Sequence, residues 1–410
     1  MPYFQREKLT PPMEKSVRRV LGKEMKKKFL LEDETVFVNH GSYGAVPRVV
    51  QAERVALLEK MDRHPDRWFR NDVRPLYDEA VKELSHFVGA APENIVFVTN
   101  ATAGINTVLK SLRLEPGDKI LMTKHTYQAC AFAVESAVKR AGAGTVVMDI
   151  CLPVYSEDSF VEQVVETCKN NAGIRLAMLD HISSPSAIVF PVSKLAKELH
   201  KLGILLLVDG AHAPGQILLD IENLGADFYV ANLHKWCYAP RGCAFLWVAP
   251  SHRDSMEPLV TSHSYNMDMV EQFFMQGTID HTPYLCVKAA LKFYSDLGGH
   301  EAILGHIQPL LDWAQDMLSQ AMDTTKLPVP HSMQAPFMRV IRLPIPEHSV
   351  YSMTREGGIS LMKDLYSNHK VVAAVVAFSN LPWLRISANV YNCKDDYLSL
   401  RDTLIKCFEQ

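Results

Sequence analysis

Lys235 ends the run Ala226-Asp-Phe-Tyr-Val-Ala-Asn-Leu-His-Lys235, and Asp209 closes the apolar run Leu205-Leu-Leu-Val-Asp209. Each stands just past the end of a strand-like segment. A lysine amine in such a place can condense with an aldehyde, and a carboxylate can keep a pyridine nitrogen protonated. The two residue types together suit a chain that holds pyridoxal phosphate and uses its ring to draw electrons from a bound amino acid. Neither carries this reading alone, since most lysines are solvated surface charges. The weight lies in how many other groups fall into the same arrangement.

Those groups need a scaffold, and the hydrophobic pattern supplies one. Short apolar runs alternate with helical patterns through the middle of the chain, which argues for βαβ units and a largely parallel sheet. Strands are expected at Ile95–Thr99, Lys119–Thr123, Thr145–Asp149, Leu176–Leu179, Ile204–Val208 and Ala244–Val248. Helices are expected near Thr102–Leu112 and Ala129–Ala141, and over Pro191–Leu202 with Gly203 as its stop. Beyond residue 250 the texture changes. One long helical region is expected over Thr282–Asp323, then a proline-rich loop, then a strand at Met338–Leu343. The expected organisation is α/β: a large domain over 41–280, a smaller α+β domain over 281–410, and an N-terminal segment, 1–40, packing on the small domain or across a dimer interface.

Open parallel sheets bind ligands at the carboxyl ends of their strands. Asn100, Asp180, Asp209 and the Asn232–Lys235 segment all lie just past such ends, so strands of one sheet would bring them to a single ligand. Any one of them alone reads better as a loop or cap residue; the four together favour a site. The junction Thr99-Asn-Ala-Thr-Ala-Gly104 would offer unpaired N–H groups and a helix dipole to an anion, or simply cap its helix. Neither a dinucleotide fingerprint nor a P-loop occurs there.

Val38-Asn-His-Gly-Ser-Tyr-Gly-Ala45, Asn100-Ala-Thr102, Asp180-His-Ile-Ser-Ser-Pro-Ser-Ala187, Asp209-Gly-Ala-His212, Asn232-Leu-His-Lys235 and Gly277-Thr278 follow one another in a telling order. From about residue 30 to about residue 400 the chain resembles fold type I pyridoxal-phosphate enzymes of the class V aminotransferase family. Within it the chain is similar to the isopenicillin N epimerase-like group, which includes L-cysteine desulfhydrases and hercynylcysteine sulfoxide lyases. The resemblance implies a mostly parallel, seven-stranded type of sheet with a smaller C-terminal domain.

It also implies roles. Lys235 corresponds to the Schiff-base lysine and Asp209 to the partner of the pyridinium nitrogen. His212 and Ser184 fall where the cofactor's phenolic oxygen is held, and Ala101, Thr102, Asn232 and His234 where its phosphate is bound. Thr278 resembles a threonine that reaches the phosphate of the neighbouring subunit, implying a homodimer with shared active sites. Tyr127 falls at the ring-stacking position, with His125 as its rival and a core tyrosine as the plainer alternative. Arg385, in Trp383-Leu-Arg-Ile-Ser-Ala-Asn389, resembles the arginine that binds the substrate α-carboxylate, for which its two-pronged fork is suited. Asn39, His40 and Tyr43 belong to an N-terminal loop that relatives bring over the substrate. The run Arg67-Trp-Phe-Arg70 is either a substrate contact or an amphipathic helix face.

Composition removes other classes. The chain has 410 residues, a formal net charge of −3, 48% hydrophobic and 22% charged residues, so neither nucleic acid nor an acidic membrane is expected as partner. Its eight cysteines suit reduced thiols, and no Cys/His grouping has zinc spacing, so no metal is expected. No apolar stretch is long enough to span a bilayer; the longest blocks, such as Val371–Phe378, have the length of a buried strand. The N-terminal region mixes basic residues with Glu7, Glu14 and Glu24 and lacks the apolar core of a secretory signal, so a cytoplasmic location is expected.

For the reaction, Lys235 freed from the cofactor would remove the substrate α-proton. No cysteine lies between Cys286 and Cys393, where cysteine desulfurases carry a nucleophilic cysteine shortly before the carboxylate-binding arginine. Persulfide-forming chemistry is therefore disfavoured. The favoured expectation is a carbon–sulfur β-lyase on cysteine or an S-substituted cysteine, releasing pyruvate and ammonia. The alternatives are an amino-acid epimerase, with Tyr127 or His125 as the second-face acid, and a non-catalytic cofactor-binding protein.

Overall fold

The computed structural model describes residues 21–409, apart from 347, 348, 353 and 380. Seven strands form the main sheet: β1 (Ile95–Val98), β2 (Lys119–Thr123), β3 (Gly144–Met148), β4 (Ile174–Asp180), β5 (Leu205–Asp209), β6 (Phe228–Asn232) and β7 (Ala244–Val248). Their spatial order is β1-β7-β6-β5-β4-β2-β3, and only β7 runs antiparallel to its neighbours. Apart from Met338–Leu343, the sequence runs that read as strands are those of this sheet, with ends shifted by a residue or two.

A sheet covered on both faces needs apolar side chains at every position, and β1, β6 and β7 are buried throughout. Alternation still sorts the residues. Val96 and Val98 join one core cluster while Ile95 and Phe97 join the other, as the two-residue pleat requires. Helices α1 (Arg48–Arg63), α2 (Val73–Val88), α5 (Glu157–Lys169) and α6 (Val192–Lys201) bury their apolar stripes in the larger cluster. Helices α3 (Ala101–Ser111) and α4 (Gln128–Ala141) cover the opposite face.

The expected single helical region over Thr282–Asp323 is broken. It consists of a short turn at Thr282–Leu285, α7 (Val287–Asp296) and α8 (Gly299–Ala321). Gly298 and Gly299 take φ of 104° and 68°, a left-handed conformation that stops one helix and starts the next. A second, three-stranded antiparallel sheet has the order β9 (Ala374–Phe378), β10 (Leu381–Ser387), β8 (Met338–Arg342). Helices α8, α9 (Arg355–His369) and α10 (Lys394–Phe408) pack around it. The apolar block Val371–Phe378, legible as one buried strand, divides at Ala373. Val371–Val372 pairs in parallel with Val36–Phe37, and only the remainder enters the small sheet.

Of the N-terminal segment, residues 1–20 lie outside the described residues. From Leu21 onward the chain lies on the C-terminal portion: Gly22 donates its N–H to the Val390 carbonyl (2.7 Å), and Val38 donates to Val372 (3.0 Å). This route delivers Asn39–Tyr43 to the carboxyl end of the main sheet.

Candidate active site

Asp180, Asp209 and Asn232 are the last residues of β4, β5 and β6, three neighbouring parallel strands. Lys235 follows three residues past β6 and is buried. Its Nζ lies 2.9 Å from Nε2 of His212, which follows β5. The same topology brings the Asp209 carboxyl within electrostatic reach of Lys235.

The polypeptide beneath the lysine is fixed by the N-terminal loop. Gly44 sits at φ 68°, and a Cβ there would lie 1.9 Å from the His234 carbonyl oxygen, so only glycine permits this approach. His40 is fully buried, pairs with the Lys235 carbonyl oxygen through Nε2 (2.7 Å) and with the Tyr391 hydroxyl through Nδ1 (2.8 Å). Burial pushes its pKa down to about 4, so the ring is neutral at physiological pH. His40 is therefore not a substrate contact, as the resemblance suggested, but a support of the Lys235 backbone. Its ring points into the core because Gly41 and Gly44 bring the loop flush against Trp236 and His234.

A cleft of about 760 Å³ opens above, lined by Asn39, Ser42, Tyr43, Tyr127, Ser184, Lys235 and Arg385 among others. Arg385, on β10, is buried. Its Nη1 donates to the backbone oxygen (2.7 Å) and Oγ (3.1 Å) of Ser184, and its Nη2 to Asn39 Oδ1 (3.1 Å) and Ser42 Oγ (2.8 Å). Its Nε has no partner among the described residues. Ser42 is the member of this group that the sequence reading missed; its neighbours in the Asn39–Tyr43 motif were the available signal. Ser184 turns its hydroxyl to the arginine fork, because the Ser184–Pro185 turn faces β10.

Burial, with Arg385 as a second cause, lowers the Lys235 pKa to about 7, against the opposing pull of Asp209. An amine at that value is available both as nucleophile and as base near neutrality. Burial and the Lys235 charge hold His212 neutral. With the lysine donating to Nε2, the ring proton sits on Nδ1, which is buried and without a protein partner. Asp209 accepts from the Ala211 N–H (3.0 Å) through Oδ1 and from the Cys130 thiol (3.4 Å) through Oδ2.

At the start of α3, Asn100 caps the helix by accepting from Ala103 N–H (2.9 Å), and Asn232 Oδ1 accepts the Ala101 N–H (2.9 Å). Ala101 and Asn232 thus hold each other and fix the helix end, rather than leaving that N–H to an anion. Thr102 stands in the same first turn. His234 pairs Nδ1 with the Cys243 carbonyl (3.2 Å), and burial keeps the ring neutral with a pKa of about 4. It can meet a phosphate through Nε2 only by taking up a proton.

Tyr127 and His125 part company. Tyr127 is half-exposed at the N-terminus of α4 and lines the cleft. His125 is fully buried, hydrogen-bonded to Ser186 (3.0 Å) and packed on Phe378. Thr278 does not line the Lys235 cleft of its own chain; it borders a separate cavity of about 460 Å³ with Pro65, Phe69, Arg70 and His281. In the Arg67–Arg70 run, Trp68 is a core residue while Arg67 and Arg70 pair at the surface with Asp72 and Asp66. Elsewhere Asp364, His369 and Cys407 bring one potential metal ligand each within 4.8 Å, but Asp364 already accepts from Tyr351 (2.5 Å) and Cys407 (3.6 Å).

Pyridoxal phosphate fits these residues. A buried carboxylate awaits a pyridinium, a buried amine of depressed pKa awaits an aldehyde, the first turn of α3 presents Thr102 to a phosphate, and His212, whose Nε2 meets the amine, keeps an orphan Nδ1–H.

The model of the class V aminotransferase family matches residues 60–400. The chain is 28% identical to a hercynylcysteine sulfoxide lyase of Schizosaccharomyces pombe, over 92% of this chain and 95% of that protein. It is equally identical to an isopenicillin N epimerase of Streptomyces clavuligerus (93% and 97% covered) and to an L-cysteine desulfhydrase of Arabidopsis thaliana (90% and 86%). In fold it is similar to an apo cysteine desulfurase from Thermococcus onnurineus, with a TM-score of 0.76 at 16% identity over 95% of this chain and 98% of that one. With the site assembled as above and the match spanning most of its length, this chain belongs to the class V aminotransferase family of pyridoxal-phosphate enzymes.

Proposed function

We propose that the protein is a carbon–sulfur β-lyase acting on cysteine or an S-substituted cysteine. The observation that carries this reading is the make-up of the cleft: Lys235 and Arg385 line it, and none of the eight cysteines does. When bound, pyridoxal phosphate supplies the electron sink that stabilises a substrate carbanion. Arg385 orients the α-carboxylate, and Lys235, with its depressed pKa, takes the α-proton. The thiolate then leaves from Cβ, and Tyr127, which lines the same cleft, gives it a proton. Cys130 lies nearby but is buried at Asp209, and burial raises its thiol well above the usual range, so it offers no nucleophile. Relatives named for lyase activity on cysteine and on hercynylcysteine sulfoxide support the same reading.

The cleft continues past Arg385 to Gln128, Phe132, Glu135, Arg355 and Met362. Its volume lies high in the range of about 300–1,000 Å³ typical of ligand pockets. That extension favours a substrate carrying a substituent on sulfur. The test is incubation of the purified holoenzyme with cysteine, cystine and S-substituted cysteines, with pyruvate and released thiol measured together. Epimerisation is the second reading, favoured by the Tyr127 hydroxyl as an additional proton carrier in the cleft and by the epimerase relative. It predicts solvent deuterium at Cα and both stereoisomers without pyruvate. The placement of Thr278 at a separate cavity suits an active unit of two chains, each lending this threonine to the other.

A further inference from the structure

Asp180 and Asp209 are register partners on the parallel strands β4 and β5, so their side chains leave the sheet on the same side with backbones about 4.8 Å apart. Both carboxyls are almost wholly buried, 3% and 5% exposed. Neither forms a salt bridge among the described residues, and Lys235 is the cation nearest in effect to both. The other titratable neighbours are neutral: the Cys130 thiol from α4, and His181, which pairs with the Tyr229 hydroxyl at 2.8 Å. Two adjacent carboxyls in so dry a place do not both ionise.

Hydrogen bonding decides which one keeps the proton. Asp209 has the Ala211 N–H on one oxygen and the Cys130 thiol on the other. Asp180 Oδ2 has no hydrogen-bond partner among the described residues. An ionised Asp180 would bury a charge with an empty acceptor, which a dry site strongly disfavours. A protonated Asp180 instead has an O–H to give, and the Asp209 carboxylate, with about four lone-pair sites, has room for it and for a pyridinium N–H.

We propose that Asp180 is held as a neutral carboxylic acid whose O–H donates to the Asp209 carboxylate, making Asp180 a positioning residue for the aspartate that faces the cofactor ring. The direction of the perturbations agrees. Burial raises both groups and Lys235 lowers both; the Ala211 N–H and the Cys130 thiol further pull Asp209 back, while the Asp209 charge pushes Asp180 up against only its own backbone N–H. The sequence marked Asp180 as a residue at a strand end; only the strand register shows that it stands beside Asp209. The inference rests on cofactor binding and is independent of which amino acid is the substrate.

Full-length D180N and D180A variants, reconstituted with pyridoxal phosphate, test it. The asparagine keeps shape and a donor, so D180N should bind the cofactor within about three-fold of the wild type and keep the pH midpoint of its visible band. D180A, which loses a hydrogen bond to a charged group, should bind roughly ten-fold or more weakly and shift that midpoint. Infrared spectra of wild-type apoprotein at neutral pH should contain a protonated-carboxyl stretch that D180N lacks, a readout that requires neither turnover nor a folded D180A. Damage in D180N equal to that in D180A, an unaffected D180A, or absence of the protonated-carboxyl band would each overturn the proposal.

Discussion

Truncating Arg385 to alanine should lower kcat/KM for amino-acid substrates by roughly ten-fold to a hundred-fold, and the structure places the effect toward the lower end. A charge-assisted carboxylate contact is worth about 1.5–3 kcal/mol. All four Nη–H directions of Arg385 are already taken, by Ser184 twice and by Asn39 and Ser42 once each. A substrate carboxylate therefore reaches the fork by displacing the rotatable hydroxyls of Ser184 and Ser42, and each displaced bond subtracts from the net gain. Ser42→Ala removes one competitor without touching the fork, so its KM should stay level or fall. The assay is steady-state pyruvate release with a cysteine conjugate and with the matching carboxylate ester. The ester should be a poor substrate for the wild type and indifferent to Arg385→Ala. Thermal melting of each variant separates misfolding from lost recognition. Equal loss for acid and ester, or a Ser42→Ala KM raised as far as that of Arg385→Ala, would refute the reasoning and leave Arg385 a structural residue.

Arg385→Ala should also raise the pKa of the free Lys235 amine above about 7, because one positive charge that disfavours the ammonium is gone; the acid limb of the kcat profile, which reports the lysine freed from the cofactor, should move to higher pH. His40→Ala should lower stability by about 1–3 kcal/mol, the cost of stranding the Lys235 carbonyl and the Tyr391 hydroxyl, with KM little changed; denaturant unfolding of the apoprotein checks it. Gly44→Ala forces a Cβ against the His234 carbonyl at a left-handed φ, so the visible cofactor band should be weakened or lost, read by absorbance after reconstitution. Cys151→Ser and Cys393→Ser should leave pyruvate formation unchanged, since both thiols lie away from the cleft; a drop in either would return a cysteine to the mechanism.

Much of the fold was legible because each main-sheet strand is a short apolar run closed by a polar residue or a turn, and in this sheet that closing residue is also where chemistry sits. Asp209, Asn232 and Lys235 could be located for that reason. The long region after Thr282 misled because α7 and α8 are both helical, and a Gly-Gly pair inside a helical pattern does not announce a break. Val371–Phe378 misled because one apolar run can serve two sheets, a choice made by distant partners, Val36–Phe37 and β10. His40 was assigned to the substrate by motif position alone. Its burial against Lys235 depends on how closely Gly44 lets two loops approach, and spacing does not encode this. Ser42, Cys130 and the pairing of Asp180 with Asp209 depend on tertiary contacts for the same reason.

The central claim is that elimination, driven from Lys235, occurs without a cysteine nucleophile. The most direct measurement is a product balance for the purified holoenzyme in deuterated water with an S-substituted cysteine. Pyruvate, ammonia and the released thiol or sulfenate should appear in equal amounts, with no persulfide on the protein and no D-isomer in the remaining substrate. Alanine together with a protein persulfide, or racemised substrate without pyruvate, would contradict it.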